Sequence, residues 1–345
     1  KPHWSWQQWL WLAQFVRECL PHRVQHNVHQ MVSLARYSRE VLSELSESLC
    51  LNYDADACGI LHFYEDKKLY QHALKQSELM NRYGCERLPC SADACLSHEP
   101  LLASLQSRMV GGTFTAADGV GDARLLAQAL AEHCKRMGVK FLFGYQVGDL
   151  ILHNREVIAI KGQDVHGQNF ELDCQELVLA AGSYTPLLTR KMGFYVPIYP
   201  GKGYSLTYHD VPHDCPLPRV SLIDEASKIV MTRLGNRLRV AGTAELNGYN
   251  LDLTPARLRM LKQQAERVMP HLADLHEPEP WCGLRPSTPS NVPLIGKSLC
   301  ENVWLNAGHG TLGWTMAAGS GKLLADLMCG NQPQIAWGRR SCLIP

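Results

Sequence analysis

The stretch that most restricts the fold lies near the end of the chain. Asn302-Val303-Trp304-Leu305-Asn306 has strand composition, and Gly308, Gly310 and Gly313 then spell G-x-G-x-x-G before a helical pattern that runs to about Met328. A strand that delivers the chain into a glycine turn, with a helix starting at once, is the grammar of a dinucleotide-binding unit. Glycine supplies the positive φ of such a turn. The first N–H groups of the helix have no partner within it, so they face an anion or an electron-rich carbonyl. The bland alternative is plain helix–strand packing. A full fingerprint also needs a second strand and an acidic residue about 20 positions on, and the chain ends at Pro345. Nearby Gly319-Ser320-Gly321-Lys322 is no phosphate loop. Met316 stands where the motif needs glycine, and Leu323 where it needs Ser or Thr, which excludes a nucleoside triphosphatase.

At 345 residues the chain is long enough for two interleaved domains. Its 46% hydrophobic and 19% charged residues are those of a folded chain. A net charge of +1 gives no argument for a nucleic-acid or acidic partner, and no nucleic acid is expected. No apolar run is long enough to span a bilayer. The 13 cysteines are odd in number and scattered, which fits free thiols in a reducing, cytoplasmic compartment. Cys85, Cys90 and Cys95 recur every five residues, unlike the closer pairs of zinc sites, so no metal is expected. The opening "WSWQQWLWLAQFV" carries Trp4, Trp6, Trp9 and Trp11 without the organisation of a signal peptide. It suits either a helix packed on its own core or a peripheral contact with a membrane surface.

Residues 23–49 repeat apolar positions at helical spacing, and 66–83 form a second helix closed by Gly84. Residues 85–109 read as loop with short helical pieces. "GGTFTA" is a strand, and Asp122 caps a helix to about Met137, closed by Gly138. "VKFLFGYQV" reads as a strand, and "LILHNREVIAIKG" as a hairpin around His153-Asn154. "FELDCQELVLAAG" leads into the apolar run Leu177–Ala181. Ala180, Ala181 and Gly182 then admit close approach of a bulky planar ligand, or simply a tight strand-to-helix turn. Residues 196–253 are strand-rich, with a hairpin turn at Gly235-Asn236. Thr254 caps a helix with Pro255 in its first position and Pro270 after its end. "GLRPSTPSNVPLIG" reads as a loop. Arg285 within it has the fork geometry to clamp a carboxylate, although a surface arginine capping a carbonyl is the commoner case.

Four segments carry a family resemblance: "YPGKGYSLT" (199–207), "IDEASKIVMTRLGNRLRVAGTAEL" (223–246), "WCGLRPSTPSNVPLIG" (281–296) and "NVWLNAGHGTLGWTMAAGSGKLLADL" (302–327). Together they resemble the FAD-dependent D-amino-acid dehydrogenases of the wider D-amino-acid oxidase, glycine oxidase and sarcosine oxidase superfamily. The resemblance runs from the tryptophan-rich start to about residue 335 and is looser before Met109. It implies a mixed α/β (α+β) fold, in which an incomplete Rossmann-like FAD-binding domain interleaves with an antiparallel-sheet substrate domain. Residues 1–109 would be mostly helical cap, 110–195 and 291–335 FAD-binding segments, 196–290 the substrate domain, and 336–345 a tail. The family's opening strand, glycine loop, helix and second strand, a unit of ~30 residues, is not in this sequence. A remnant unable to hold FAD by itself is therefore one alternative, and a glycine, sarcosine or D-proline type oxidoreductase another.

The resemblance places Val147, Ala180, Ala181 and Gly182 on the adenine and ribose side of FAD. It places Gly308, His309, Gly310, Thr311, Leu312 and Gly313 at the flavin ring. Arg285 would anchor the substrate carboxylate, with Tyr204 and Tyr249 in the sheet above the ring, and His309 would position the flavin. The implied reaction passes the α-hydrogen of a D-amino acid to the flavin as hydride, giving a 2-oxo acid and ammonia, with electrons handed on to a quinone. A cytoplasmic protein, peripheral at the inner face of the membrane, fits that acceptor.

Overall fold

The computed structural model describes residues 5–338. Trp4 and residues 339–345 of the expected tail lie outside that span. Two helices open the chain, α1 (Trp6–Glu18) and α2 (Pro21–Leu49). Pro21 occupies the first turn of α2, where a missing N–H breaks no helical bond. β1 (Ile60–Tyr64) leads to α3 (Lys67–Arg82), whose first turn Asp66 caps by accepting from Leu69 N at 2.8 Å. β2 (Leu88–Cys90), α4 (Ala92–His98) and β3 (Gly111–Thr115) follow. α5 (Ala123–Arg136) starts where Asp122 Oδ1 accepts from the N–H groups of Arg124 and Leu125, and the chain leaves it through Gly138 at φ 92°. Next come β4 (Gln146–His153), β5 (Glu156–Gln163), β6 (Asn169–Asp173), β7 (Leu177–Leu179) and α6 (Thr185–Lys191). The strand-rich part comprises β8 (Tyr199–Tyr208), β9 (Ser221–Asp224), β10 (Ile229–Leu234) and β11 (Arg237–Glu245). α7 (Pro255–Val268), β12 (Glu279–Ser287), β13 (Leu294–Lys297), β14 (Val303–Ala307) and α8 (Gly313–Met328) complete the chain.

The contacts resolve into two units. The first takes the chain up to Cys50, Ala131–Gly201, and everything from Arg285 onward. Its central sheet has the order β13-β14-β7, with β14 parallel to β7 and antiparallel to β13. Leu179, Val196, Ile198, Val303 and Leu305 form the core beside it. A separate meander, β4-β5-β6, is antiparallel throughout. α2 lies on α8 so closely that Gly319 N donates to Ser38 Oγ at 3.0 Å. A Cβ on Gly319 would stand 2.7 Å from Ser38 Cα, so only glycine allows this approach.

Asn302 ties the first unit together. Its Oδ1 accepts from Val157 N at 2.9 Å, and its Nδ2 donates to Val157 O and Gln175 O, both at 2.8 Å. One buried amide thus fastens the meander and the approach to β7 onto the start of β14.

The second unit takes Leu51–Leu130 and Lys202–Leu284. It is built on a sheet of order β12-β8-β11-β10-β9-β1-β3-β2. One face buries Leu222, Ile229, Met231, Leu238 and Val240 against Leu261, Ala265 and Val268 of α7. Asp224, nearly fully buried, is answered by Arg267 Nη2 at 2.5 Å, and the same guanidinium reaches Glu65.

Several expectations need correction. Only Gln146 and Val147 of "VKFLFGYQV" are in a strand. Residues 139–145 are irregular, with Val139, Phe141, Leu142, Phe143 and Tyr145 exposed, because no described strand lies alongside to complete a ladder. Leu88–Cys90, read as loop, is a strand paired to β3. Within "GLRPSTPSNVPLIG", Gly283–Ser287 belongs to β12 and Leu294–Gly296 to β13. Thr254 stands at the start of α7 without capping it; its Oγ1 lies 2.9 Å from the Tyr204 hydroxyl instead. The hairpin turn between β4 and β5 is Asn154-Arg155, one residue later than read, with φ 49° and 68°.

Asn302→Ala removes the partner of the Val157 N–H and the amide donor to the Val157 and Gln175 carbonyls, a loss of about 2–4 kcal/mol. Urea denaturation should show a clearly lower midpoint at unchanged slope; an unmoved midpoint would remove Asn302 from its assigned role.

Candidate active site

The parallel pairing of β7 with β14 decides where the small residues go. Leu177 faces Val303 and Leu179 faces Leu305, so the turns after the two strands emerge at the same end of the sheet. One turn is Ala180-Ala181-Gly182, with Gly182 at φ 54°. The other is Gly308–Gly313, with Gly308 at φ 86° and Gly310 at φ 55°. Crevices outside the carboxyl ends of parallel strands are where ligands of such sheets bind.

β12 enters the same place. Ser287 bridges to His309 in antiparallel fashion, and Gly310 lies against Ser287. Pro286 is the nearest neighbour of the space beside Gly182, and the Arg285 carbonyl lies close to Gly201. The end of β12 thus brings Arg285, Gly182 and the 308–313 turn into one neighbourhood. Trp11 secures it by donating from Nε1 to Ser287 O at 2.8 Å, with its ring beside Tyr199. A Cβ on Gly308 would be 2.6 Å from Thr288 Cγ2, which reserves that position for glycine.

Three features fit the residues around the 308–313 turn to a flavin. No side chain caps α8 or the short turn before it, while Thr311 and Leu312 are exposed. The N-terminal N–H groups and the positive end of the helix dipole are thus left to a ligand. Gly308, Gly310 and Gly313 leave three positions of the turn without a Cβ. His309 carries no charge: burial pushes its pKa down to about 4. Its Nε2 lies 3.1 Å from Ser320 Oγ, whose proton goes to Ala317 O at 3.0 Å. Ser320 must therefore accept, which places the imidazole proton on Nε2.

Arg285 is half-buried, and burial pushes its pKa below the usual arginine value. Val147 sits on the β4-β5-β6 sheet, opposite Gly162, and not on the sheet that carries the glycine turns. Tyr204 and Tyr249 belong to the second unit. Tyr204 is 1% exposed, and its hydroxyl donates to Glu245 Oε2 at 2.5 Å. Beside it the buried Lys202 ammonium reaches Asn250 Oδ1, Asp252 O and Glu245, and lies 5.3 Å from the Tyr204 ring. Tyr249 is on an exposed turn. Sequence reasoning did not find Asn302, Ser287 or Ser320. The one available signal was Asn302, a polar residue at the head of an apolar strand.

Comparison with known proteins agrees with this geometry. Residues 3–327 match the family described as FAD dependent oxidoreductase. The chain is 44% identical to a D-amino acid dehydrogenase of Dechloromonas aromatica over 335 residues, covering 96% of this chain and 80% of that one. It is 39% identical to the D-amino acid dehydrogenase of Paramagnetospirillum magneticum, covering 96% and 78%. Among solved structures, L-proline dehydrogenase from P. horikoshii superposes with a TM-score of 0.77 at 21% identity, covering 90% of this chain and 82% of that one. Glycine oxidase from Geobacillus kaustophilus gives 0.77 at 20% identity, covering 88% and 80%.

The lowered pKa of His309 has a consequence for stability. The unfolded chain takes up the proton near the ordinary 6.5, and the folded chain only near 4. Stability therefore falls as pH drops through that window and is intact above it. His309→Asn should flatten the melting temperature between about pH 6.5 and 4; an identical acid limb in the variant would show that His309 titrates normally.

A parallel strand pair ending in two glycine turns, an uncapped helix aimed at the same place and a matching family over most of the chain lead to one assignment: this chain is a member of the FAD-dependent oxidoreductase family, within its D-amino acid dehydrogenase branch.

Proposed function

We propose that the chain oxidises D-amino acids to 2-oxo acids and ammonia. The observation that carries this reading is the placement of Arg285 on the strand that reaches the flavin-facing turn through Ser287 and His309. FAD supplies the two-electron acceptor for the α C–H bond. The turn at 308–313 would hold the ring edge by its N–H groups, and Ala180–Gly182 would flank the adenine and ribose side, as would Val147. Arg285 fixes the substrate by its carboxylate through two parallel hydrogen bonds, and its burial keeps water from competing for that pair. Neutral His309 adds no second cation, so it positions the ring edge and carries no proton. Within the second unit Tyr249 lies on an exposed turn, and Tyr204 holds Lys202 and Glu245. The imino product is released to water, which completes the deamination.

Electrons then pass to a quinone at a membrane surface. On α1, Trp6, Trp9 and Val16 are exposed, as is Leu20 just beyond it, while Trp11 faces inward. Outward tryptophans suit the interfacial layer of a bilayer. No helix among the described residues is long and apolar enough to cross a membrane, so this contact would be peripheral.

Arg285→Ala should raise KM for a D-amino acid by about a hundredfold, while the flavin absorbance of the purified protein stays as in wild type. Loss of flavin from the variant would refute the substrate role. A wild-type protein whose flavin is not bleached by any D-amino acid under anaerobic conditions would refute the reaction itself.

A further inference from the structure

α1 is a helix with little of its own to hold it. Ser5 at its start gives no side-chain cap, and its first turn carries no acidic residue. A helix of 13 residues is marginal by itself in water. Among the described residues of α1, Trp11 alone is fully buried. The order of the helix therefore leans on what Trp11 touches. Its Nε1 donates to Ser287 O at 2.8 Å, and its ring centroid lies 6.0 Å from that of Tyr199. Ser287 bridges to His309 and stands two positions after Arg285. An indole N–H is a single donor, and here its one bond ties α1 to the strand end that carries Arg285.

The other side of α1 is apolar and exposed. Trp6, Trp9, Ala13 and Val16 follow at spacings of three and four, so they form one stripe, and all four are exposed. Trp11, two positions past Trp9, points about 200° round the helix from it. Charge selects what covers the stripe. Residues 5–39 hold four arginines and one acidic residue, Glu18. Glu18 accepts from Arg23 Nη1 at 2.6 Å and from Asn27 Nδ2 at 3.0 Å, so its charge is met within the fold. Arg17, beside Val16, is exposed. A second copy of this face would set arginines against arginines. Tryptophan settles at the level of lipid headgroups, and arginine draws the anionic ones. The occupant that fits is an anionic lipid surface.

We propose that Trp11 is a positioning residue that couples lipid contact to the substrate anchor. An anionic surface completes α1, α1 holds Trp11, and Trp11 holds the end of β12 where Arg285 and the Ser287–His309 bridge lie. The coupling rests on the peripheral membrane contact and the Arg285 role proposed above. Away from lipid, α1 opens locally for part of the time, and substrate binds the ordered form. Apparent affinity is then reduced by the ordered fraction. Lipid raises that fraction, which lowers KM and leaves kcat as it is.

The test uses the full chain loaded with FAD, D-alanine and a soluble dye as acceptor, so that electron delivery to the bilayer does not enter. Vesicles of phosphatidylcholine with about one-third phosphatidylglycerol should lower the KM of wild type about fivefold at constant kcat. The double variant Trp6→Ala/Trp9→Ala should not sediment with the vesicles, and should keep the vesicle-free KM and kcat of wild type throughout. Trp11→Phe should sediment with them as wild type does, yet show a raised KM that vesicles do not lower. Hydrogen exchange gives a reading without turnover: vesicles should slow exchange at 285–291 and 308–313 in wild type and not in W11F. Wild type that stays in the supernatant, or whose stripe drives self-association in place of vesicle binding, overturns the proposal. So does a W11F protein whose KM the vesicles still lower. If vesicles slow exchange in wild type and not in W11F but no D-amino acid is oxidised, the coupling stands and the dehydrogenase reading fails. If D-alanine is oxidised while bound vesicles change neither KM nor exchange, the coupling fails alone.

Discussion

The register of β7 on β14 is the constraint on which the candidate site depends. Because the two strands are parallel and in step, Ala180–Gly182 and Gly308–Gly313 leave the sheet side by side. A shift of one residue would send each side chain of β14 to the opposite face. Val303, Leu305 and Ala307, now buried, would exchange places with Trp304 and Asn306. Register is thus held by burial on one face and by Asn302 at the strand's head. The amide of Asn302 makes one donor–acceptor pair with Val157 and a further bond to Gln175, so the β4-β5-β6 meander and the chain entering β7 share one anchor. A three-stranded sheet has few ladder bonds of its own, and a buried side chain with every polar atom engaged gives it uniqueness as well as stability.

What could be read from residues alone followed from local physics. The cap at Asp122, the positive φ at Gly138 and the turn at Gly235-Asn236 all need only a few neighbouring residues. The strand, glycine turn and helix at 302–328 were legible for the same reason, since each glycine marks a backbone state that other residues reach with strain. "VKFLFGYQV" failed because a strand is a relation between two segments. Its apolar, β-branched and aromatic residues suit a strand, yet residues 139–145 have no ladder partner among the described residues. Thr254 failed for a related reason. Its position is that of a helix cap, but its hydroxyl goes to the Tyr204 network, a partner 50 residues away.

Trp11 shows why the site was only partly legible. Four tryptophans within eight residues read as one aromatic feature, whether core or membrane contact. In the fold they divide: Trp11 turns inward and bonds to Ser287 O next to the candidate flavin turn, while Trp6 and Trp9 turn outward. The division follows helical geometry, since neighbouring positions on a helix face different ways. Nothing in the composition of α1 says which tryptophan finds a carbonyl 276 residues on.

The arginines of the second unit carry the same lesson into chemistry. Arg267 joins Glu65 and Asp224, and Arg237 joins Asp54 and Asp122. In both, a buried or half-buried cation is neutralised from two sides by segments far apart in sequence, which is how such charge serves the fold. Arg239 is chemically the same residue on the same strand, and no carboxylate lies within ion-pair distance of it among the described residues. The sequence "RLRV" makes the two positions equivalent; the topology separates them, because Asp54 and Asp122 converge on Arg237 and leave Arg239 to the Trp281 ring.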